Sequence, residues 1–167
     1  MKNQSLRIYT IGHSNIEMDR FIGLLHFHGI ALLADVRSEP FARYADWFNR
    51  NSLERALARE EIRYEYFGKE LGGRPEDPDV YDAGGELDYE VLRKTEYFRN
   101  GINTLLKLAG EVRTAIMCSE EDPLHCHRSL LIAPALGGRG VEVVHIRHDG
   151  EIIGEHELRP QMKLPLY

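Results

Sequence analysis

The sequence predicts a single-domain α/β protein: a mostly parallel five-stranded sheet with helices on both faces, Rossmann-like and three-layered, with a short C-terminal hairpin. Three observations predict it. Short apolar runs of strand length alternate with segments whose apolar residues recur at helical spacing. Polar and reactive side chains cluster just after these runs, where the carboxyl ends of parallel strands bind ligands. The 167 residues are also enough for one core, because a chain of this size hides roughly 70% of its unfolded surface on folding.

Leu6 to Ile11 is a short strand that ends on Gly12-His13-Ser14-Asn15. Ser14 with Glu17 reads as a capping box, and Met18, Phe21, Ile22 and Leu25 form a helical face that Gly29 stops. Ile30 to Ala34 is the second strand. Pro40 restricts the residue before it to extended conformations, so Asp35 to Asn49 is a long loop carrying Arg37, Arg43 and the only tryptophan, Trp47. Asn51 with Glu54 caps a second helix whose face is Leu53, Ala56 and Leu57. Ile62, Tyr64 and Tyr66 alternate with Arg63 and Glu65, the period of a strand at the sheet edge.

Gly68 to Asp88 holds five glycines, two prolines and seven acidic residues. Irregular segments of that length are functional or mobile, so a lid or rim is expected. From Tyr89 the helical period returns through Phe98, Ile102, Leu105 and Ala109, and Gly110 ends it. Thr114 to Met117 is the fourth strand. Leu130, Leu131, Ala133 and Leu136 make the next helical face, with Pro134 about two turns in, where it costs ~3 kcal/mol and predicts a kink or an early end. Val141 to Ile146 is the fifth strand, Asp149-Gly150 a hairpin turn, and the chain beyond Gly154 a tail. The expected unit is one domain over 1–167, with its core at about 5–150 and the tail at about 151–167. Right-handed crossovers with the first strand central give the strand order 3-2-1-4-5.

Composition narrows the function classes. The net charge of −6 argues against a nucleic-acid coat or a membrane-surface protein, though not against a local basic patch. Two cysteines, a polar start and no apolar run near the ~20 residues a membrane span needs point to a cytoplasmic protein with reduced thiols. Nothing in the residues specifies a cofactor or an oligomeric state.

The chemistry concentrates between Thr114 and Leu136, where Cys118, Glu120, Cys126, His127 and Arg128 occupy a strand-to-helix junction. If the first and fourth strands are neighbours, the chain leaves them in opposite directions and opens a crevice at their carboxyl ends. His13, Asp35, Arg37, Glu120, His127 and Arg128 are expected to border it. Several have a plain alternative: His13 as a structural hydrogen bonder, Asp35 and Arg37 pointing the same way in a structural ion pair to a neighbouring loop, Cys118 as a small buried hydrophobe, and Glu120 with its acidic neighbours as caps.

Thr10-Ile11-Gly12-His13-Ser14, Asp35-Val36-Arg37-Ser38-Glu39-Pro40, Leu71-Gly72-Gly73-Arg74 and Met117-Cys118-Ser119-Glu120 followed by Cys126-His127-Arg128 together resemble the bacterial and archaeal domain of unknown function 488 family. The resemblance runs to about Gly150 and implies a single α/β domain. It also places Ser14, Gly72 and Gly73 among the substrate-binding candidates. Where that family often has a serine before the arginine matched by Arg43, this chain has Ala42, so a hydroxyl there is not essential.

Three classes of function follow. The first is a hydrolase or transferase for a small anionic, phosphorylated or nucleotide-like ligand: Arg37, Arg43 and Arg128 grip the anion, while His13, Asp35 or Glu120 act as acid, base or nucleophile. The second is a redox or metal centre built from Cys118, Cys126, His127 and His13, although the cysteine spacing matches no standard zinc pattern and no arginine lies six residues after either cysteine. The third is a non-catalytic nucleic-acid module using Arg43, Tyr44 and Trp47. Arg128, in the first turn of a helix where a cation is unfavourable, is expected to pair with the carboxylate of Asp35 or Glu120, or with a ligand anion.

Overall fold

The computed structural model describes residues 4–158. Six strands form one sheet: β1 (Arg7–Gly12), β2 (Leu32–Asp35), β3 (Arg63–Tyr66), β4 (Thr114–Cys118), β5 (Glu142–Ile146) and β6 (Ile152–Gly154), in the order β3-β2-β4-β1-β5-β6. Five strands are parallel, and β6 closes the sheet as the antiparallel partner of β5. The sheet is therefore mixed and six-stranded, because the residues after the Asp149-Gly150 turn pair with β5.

The strand order also differs from the expected one. β4, not β1, lies beside β2, with Leu32 opposite Thr114 and Asp35 opposite Met117. β1 is flanked by β4 and β5. Both orders permit right-handed crossovers, and β2 and β4 are buried throughout, so apolar pattern alone does not distinguish them.

The crossovers sort the helices into two layers. Two of them, α1 (Met18–Phe27) and α2 (Arg50–Arg59), pack Phe21, Leu24, Leu25, Leu53 and Leu57 on one face of the sheet. The short α3 (Gly68–Leu71) and α4 (Tyr89–Lys94), the long α5 (Glu96–Glu111) and α6 (Ala133–Gly137) cover the other, with Leu71, Leu92, Phe98, Ile102, Leu105 and Leu136 in its core. Asp88 caps α4 through the N–H groups of Glu90 and Val91, and Thr95 starts α5 by accepting from Phe98 N.

Several local expectations change. Ser14 makes no capping box: its backbone is left-handed (φ 44°), and Glu17 precedes α1 without a side-chain cap. Asn49 rather than Asn51 precedes α2, and its Oδ1 accepts from Ala42 N instead of capping. Gly110 lies inside α5, which continues to Glu111. Gly68 to Asp88 is folded, with Leu71 and Val80 buried and Tyr81 bridged to Leu87.

Pro134 is accommodated by a π-helical turn, Arg128–Ile132, that precedes α6. The wider turn puts proline in the first turn of the α-helical part, where its missing N–H has no bond to lose. The expected tail also begins as structure, since residues Glu155–Leu158 form a short helix, α7. The rest of that tail lies outside the described residues. Among the described residues, no helix is long and apolar enough to cross a membrane.

Candidate functional site

β1 and β4 lie side by side, and their pairing continues past the strand ends, with His13 N donating to Cys118 O (2.9 Å) and Ser14 N to Ser119 O (2.8 Å). The segment at Glu120 and Glu121 crosses directly over Gly12, where any Cβ would overlap the Glu120 carbonyl. That close approach requires the glycine. Beyond the carboxyl ends of β4 and its other neighbour, β2, opens a cavity of about 360 Å³. Its walls are Arg37 to Glu39 with Phe41, Gly73 and Arg74, Cys118 to Glu120, and His125 to His127.

Two sulfurs lie at this cavity. Cys118 ends β4 and Cys126 follows a short turn of 3-10 helix at Pro123–His125; both are buried and unbridged, and their Sγ atoms are 2.7 Å apart. The hydrogen bond with Cys118, aided by the Arg128 charge, holds Cys126 below the ordinary thiol range. The same bond, with burial, pushes Cys118 well above it.

His127 Nε2 is 3.1 Å from the carbonyl of Val36, which can only accept, so that nitrogen carries the proton. Nδ1 is then the unprotonated nitrogen, and it lies 3.8 Å from Cys126 Sγ. Gly73 borders the imidazole so closely that an added Cβ would come within 3.1 Å of it. The two sulfurs and a ring nitrogen of His127 lie within 4.8 Å of one another, the arrangement among the described residues that could hold a metal ion.

Arg128 lies behind the sulfurs, fully buried. Its Nε donates to Cys126 Sγ (3.2 Å), Nη1 to Thr10 Oγ1 (2.9 Å), and Nη2 to the carbonyls of Glu120 and Glu121. The expected carboxylate partner, Asp35 or Glu120, is replaced by backbone carbonyls and a sulfur, because the segment over Gly12 brings its peptide groups, not its side chains, to the guanidinium. Thr10 Oγ1 also meets His145 Nδ1 (2.6 Å), His145 Nε2 meets Glu155 Oε2 (2.5 Å), and Ser129 Oγ donates to Glu155 Oε1 (2.7 Å). Sequence reasoning missed Thr10, His145 and Glu155. The available signal was a polar residue inside each of two apolar strands, Thr10 between Tyr9 and Ile11 and His145 between Val144 and Ile146.

The second predicted cluster is an internal ion pair. Asp35 is fully buried and receives Arg37 Nε (2.9 Å) and Nη2 (2.8 Å) together with the Tyr64 hydroxyl (2.6 Å). Burial and this carboxylate push the Tyr64 phenol far above its ordinary range. Arg37 Nη1 donates to Phe48 O (2.8 Å) and reaches His13 Nε2 (3.3 Å). His13 Nδ1 is 2.7 Å from Ser14 O, so the ring is held neutral between an acceptor and a donor and stacks on Phe48. Burial lowers its pKa to about 4, with the Arg37 charge adding to the effect. Both ring nitrogens are engaged, which leaves neither for a metal.

The predicted residues thus separate into groups. Arg37, Gly73, Cys118, Glu120, Cys126 and His127 border the cavity; His13, Asp35 and Arg128 are buried. Gly72 sits where an added Cβ would collide with Ser38 Oγ. Ser14 is exposed outside the lining, and exposed Arg43 rests over the Tyr44 ring, 5.5 Å from its centroid. Arg74 and His125 add two exposed basic groups to the cavity wall.

A family model, Domain of unknown function DUF488, matches residues 17–134, well over half of the chain. The chain belongs to the DUF488 family. The segment matched in DUF488 contains Asp35, Arg37 and both cysteines, while Thr10, His13, His145 and Glu155 lie outside it. No curated protein and no solved structure matches the chain.

Proposed function

We propose that this protein is a thiol-dependent oxidoreductase in which Cys126 is the attacking sulfur and Cys118 the resolving one. The observation that carries the reading is the 2.7 Å separation of the two sulfurs beside an open cavity. The geometry supports this division of roles. Cys126 accepts from Arg128 Nε and from the Cys118 thiol, as a thiolate does, whereas Cys118 has a sulfur to attack within reach.

The balanced reaction is dithiol–disulfide exchange with a substrate disulfide R–S–S–R′. The Cys126 thiolate attacks one sulfur, the S–S bond breaks, and R′–S⁻ leaves and takes up a proton. Cys118 then gives up its proton to the departing R–S⁻ and attacks Cys126 Sγ. The products are R–SH, R′–SH and a Cys118–Cys126 bridge, and a thiol reductant returns the bridge to the dithiol. This cycle suits a reducing compartment such as the cytoplasm.

The anionic-substrate reading has weaker support, because the donors of Arg37 and Arg128 are engaged internally and Arg43 lies outside the cavity. The test is to equilibrate the reduced chain with a small disulfide and analyse it by mass spectrometry. The expected product is an internal bridge between Cys118 and Cys126 in the parent. Cys118→Ser should accumulate a mixed disulfide on Cys126, and Cys126→Ser should accumulate markedly less adduct. Absence of the bridge at every thiol-to-disulfide ratio would overturn the proposal.

A further inference from the structure

We infer that Cys118 Sγ, Cys126 Sγ and His127 Nδ1 form a three-ligand site for a zinc-class divalent cation, with the fourth position open to the cavity. The inference rests on the same two sulfurs as the redox reading but not on their reactivity. It is carried by the imidazole, which dithiol exchange does not need.

The donor set has the right chemistry. Two cysteine sulfurs and one histidine nitrogen, with one position left for water or substrate, are a recurring ligand set for catalytic zinc. The three donors lie within 4.8 Å of one another. His127 is also prepared in the manner of metal-bound histidines. Its Nε2–H donates to the Val36 carbonyl at 3.1 Å, which fixes the tautomer and turns the Nδ1 lone pair toward the sulfurs. Gly73 keeps the ring in place from the other side. Arg128 donates to Cys126 Sγ at 3.2 Å, a second contact that orients a ligand sulfur and offsets the charge of a dithiolate site. Glu120 and Ser119 line the cavity at the open side, where an ion-bound water would sit.

The sulfur separation places the pair between two states. A disulfide draws sulfurs to ~2.05 Å. Two zinc–sulfur bonds of ~2.3 Å at a tetrahedral angle hold them about 3.8 Å apart. At 2.7 Å the pair must close by less than an ångström for the bridge or open by about one for the ion. The two states exclude each other, so oxidation by a disulfide or peroxide expels the cation and the bound cation shields the thiols.

The experiment uses the full reduced chain, kept anaerobic and titrated with zinc(II) alone against a chromophoric chelator. Cadmium(II) serves in a parallel titration for its sulfur-to-metal charge-transfer absorption. One equivalent per chain is expected, with cadmium absorption proportional to two thiolates. His127→Ala should weaken binding at least tenfold, Cys118→Ser and Cys126→Ser should each cut the cadmium band by half or more, and His26→Ala, on the far surface of α1, should change nothing. Oxidising the unsubstituted chain to the Cys118–Cys126 bridge should release the ion, a readout independent of whether any variant folds. No retained zinc in the reduced chain, or zinc retained equally after oxidation and in His127→Ala, overturns the inference. A bridge that forms in a chain unable to hold zinc removes the metal site and leaves the redox reading intact. Zinc bound by a chain that never forms the bridge does the reverse.

Discussion

Arg128 donates from Nε to the sulfur of Cys126 at 3.2 Å, and among the described residues no carboxylate side chain pairs with its guanidinium. A wholly buried cation held by carbonyls, a hydroxyl and a sulfur depends on every one of those acceptors. The planar fork serves three directions at once, which an ammonium on a flexible stem does not reproduce. Arg128→Lys should therefore cost about 2–4 kcal/mol in urea unfolding and slow disulfide exchange at Cys126. Parent stability with parent exchange rate would show that the fork is dispensable.

Asp35 and Tyr64 separate charge from hydrogen bonding in the other cluster. Asp35→Asn leaves Arg37 buried without its counter-ion and should lower stability by about 3–5 kcal/mol. Tyr64→Phe removes only the 2.6 Å bond to Asp35 Oδ2, a loss of about 1–2 kcal/mol. Chemical denaturation of both variants checks the order, and equal losses would contradict the ion-pair account.

His13 sets an acid limit. Its folded pKa of about 4 lies below the ordinary value of 6.5 chiefly because burial disfavours the charged ring. Between those values the unfolded chain binds the extra proton, so stability falls as pH drops from 6.5 to 4 and levels off below. The full loss is about 3 kcal/mol. Urea midpoints measured from pH 7 to pH 4 should show this slope in the parent and a reduced slope in His13→Gln.

Glu155 and Glu157 share one short helix but differ in partners. Glu155 receives Ser129 and His145, the latter fully buried, whereas Glu157 is mostly exposed beside His156. Glu155→Ala should cost about 1–3 kcal/mol and Glu157→Ala no more than about 0.5 kcal/mol. Thermal melts of the two variants, compared with the parent, decide it.

The strands, the two helix layers and the grouping of reactive residues at one sheet edge were legible because burial imposes periodicity and strand ends collect polar side chains. The place of β4 was not, since β1, β2 and β4 are all apolar runs and their order depends on long-range pairing. The partners of Arg128 were hidden for a related reason: they are peptide carbonyls, which every residue carries. Glu155 read as tail because three strand residues and one helical turn leave too short a pattern to recognise. Pro134 was correctly a point of conflict where a kink or an early end was expected: a wider turn precedes it and the helix ends at Gly137.

The insertion of β4 between β2 and β1 has a consequence for how the molecule is made. β1 is made before the other five strands of this sheet, yet it lies between β4 and β5. During synthesis β2 and β3 can pair as a local unit, while β1 stays without a sheet partner until more than 100 residues have followed it. Contacts of such sequence separation are slow to close. Cys118 and Cys126 emerge before His145 and Glu155, so the nascent chain presents both thiols before the polar network behind Arg128 can form. Exposed apolar β1 and uncovered thiols therefore coincide in time, and that interval is when this chain is most open to aggregation and to incorrect sulfur pairing between copies.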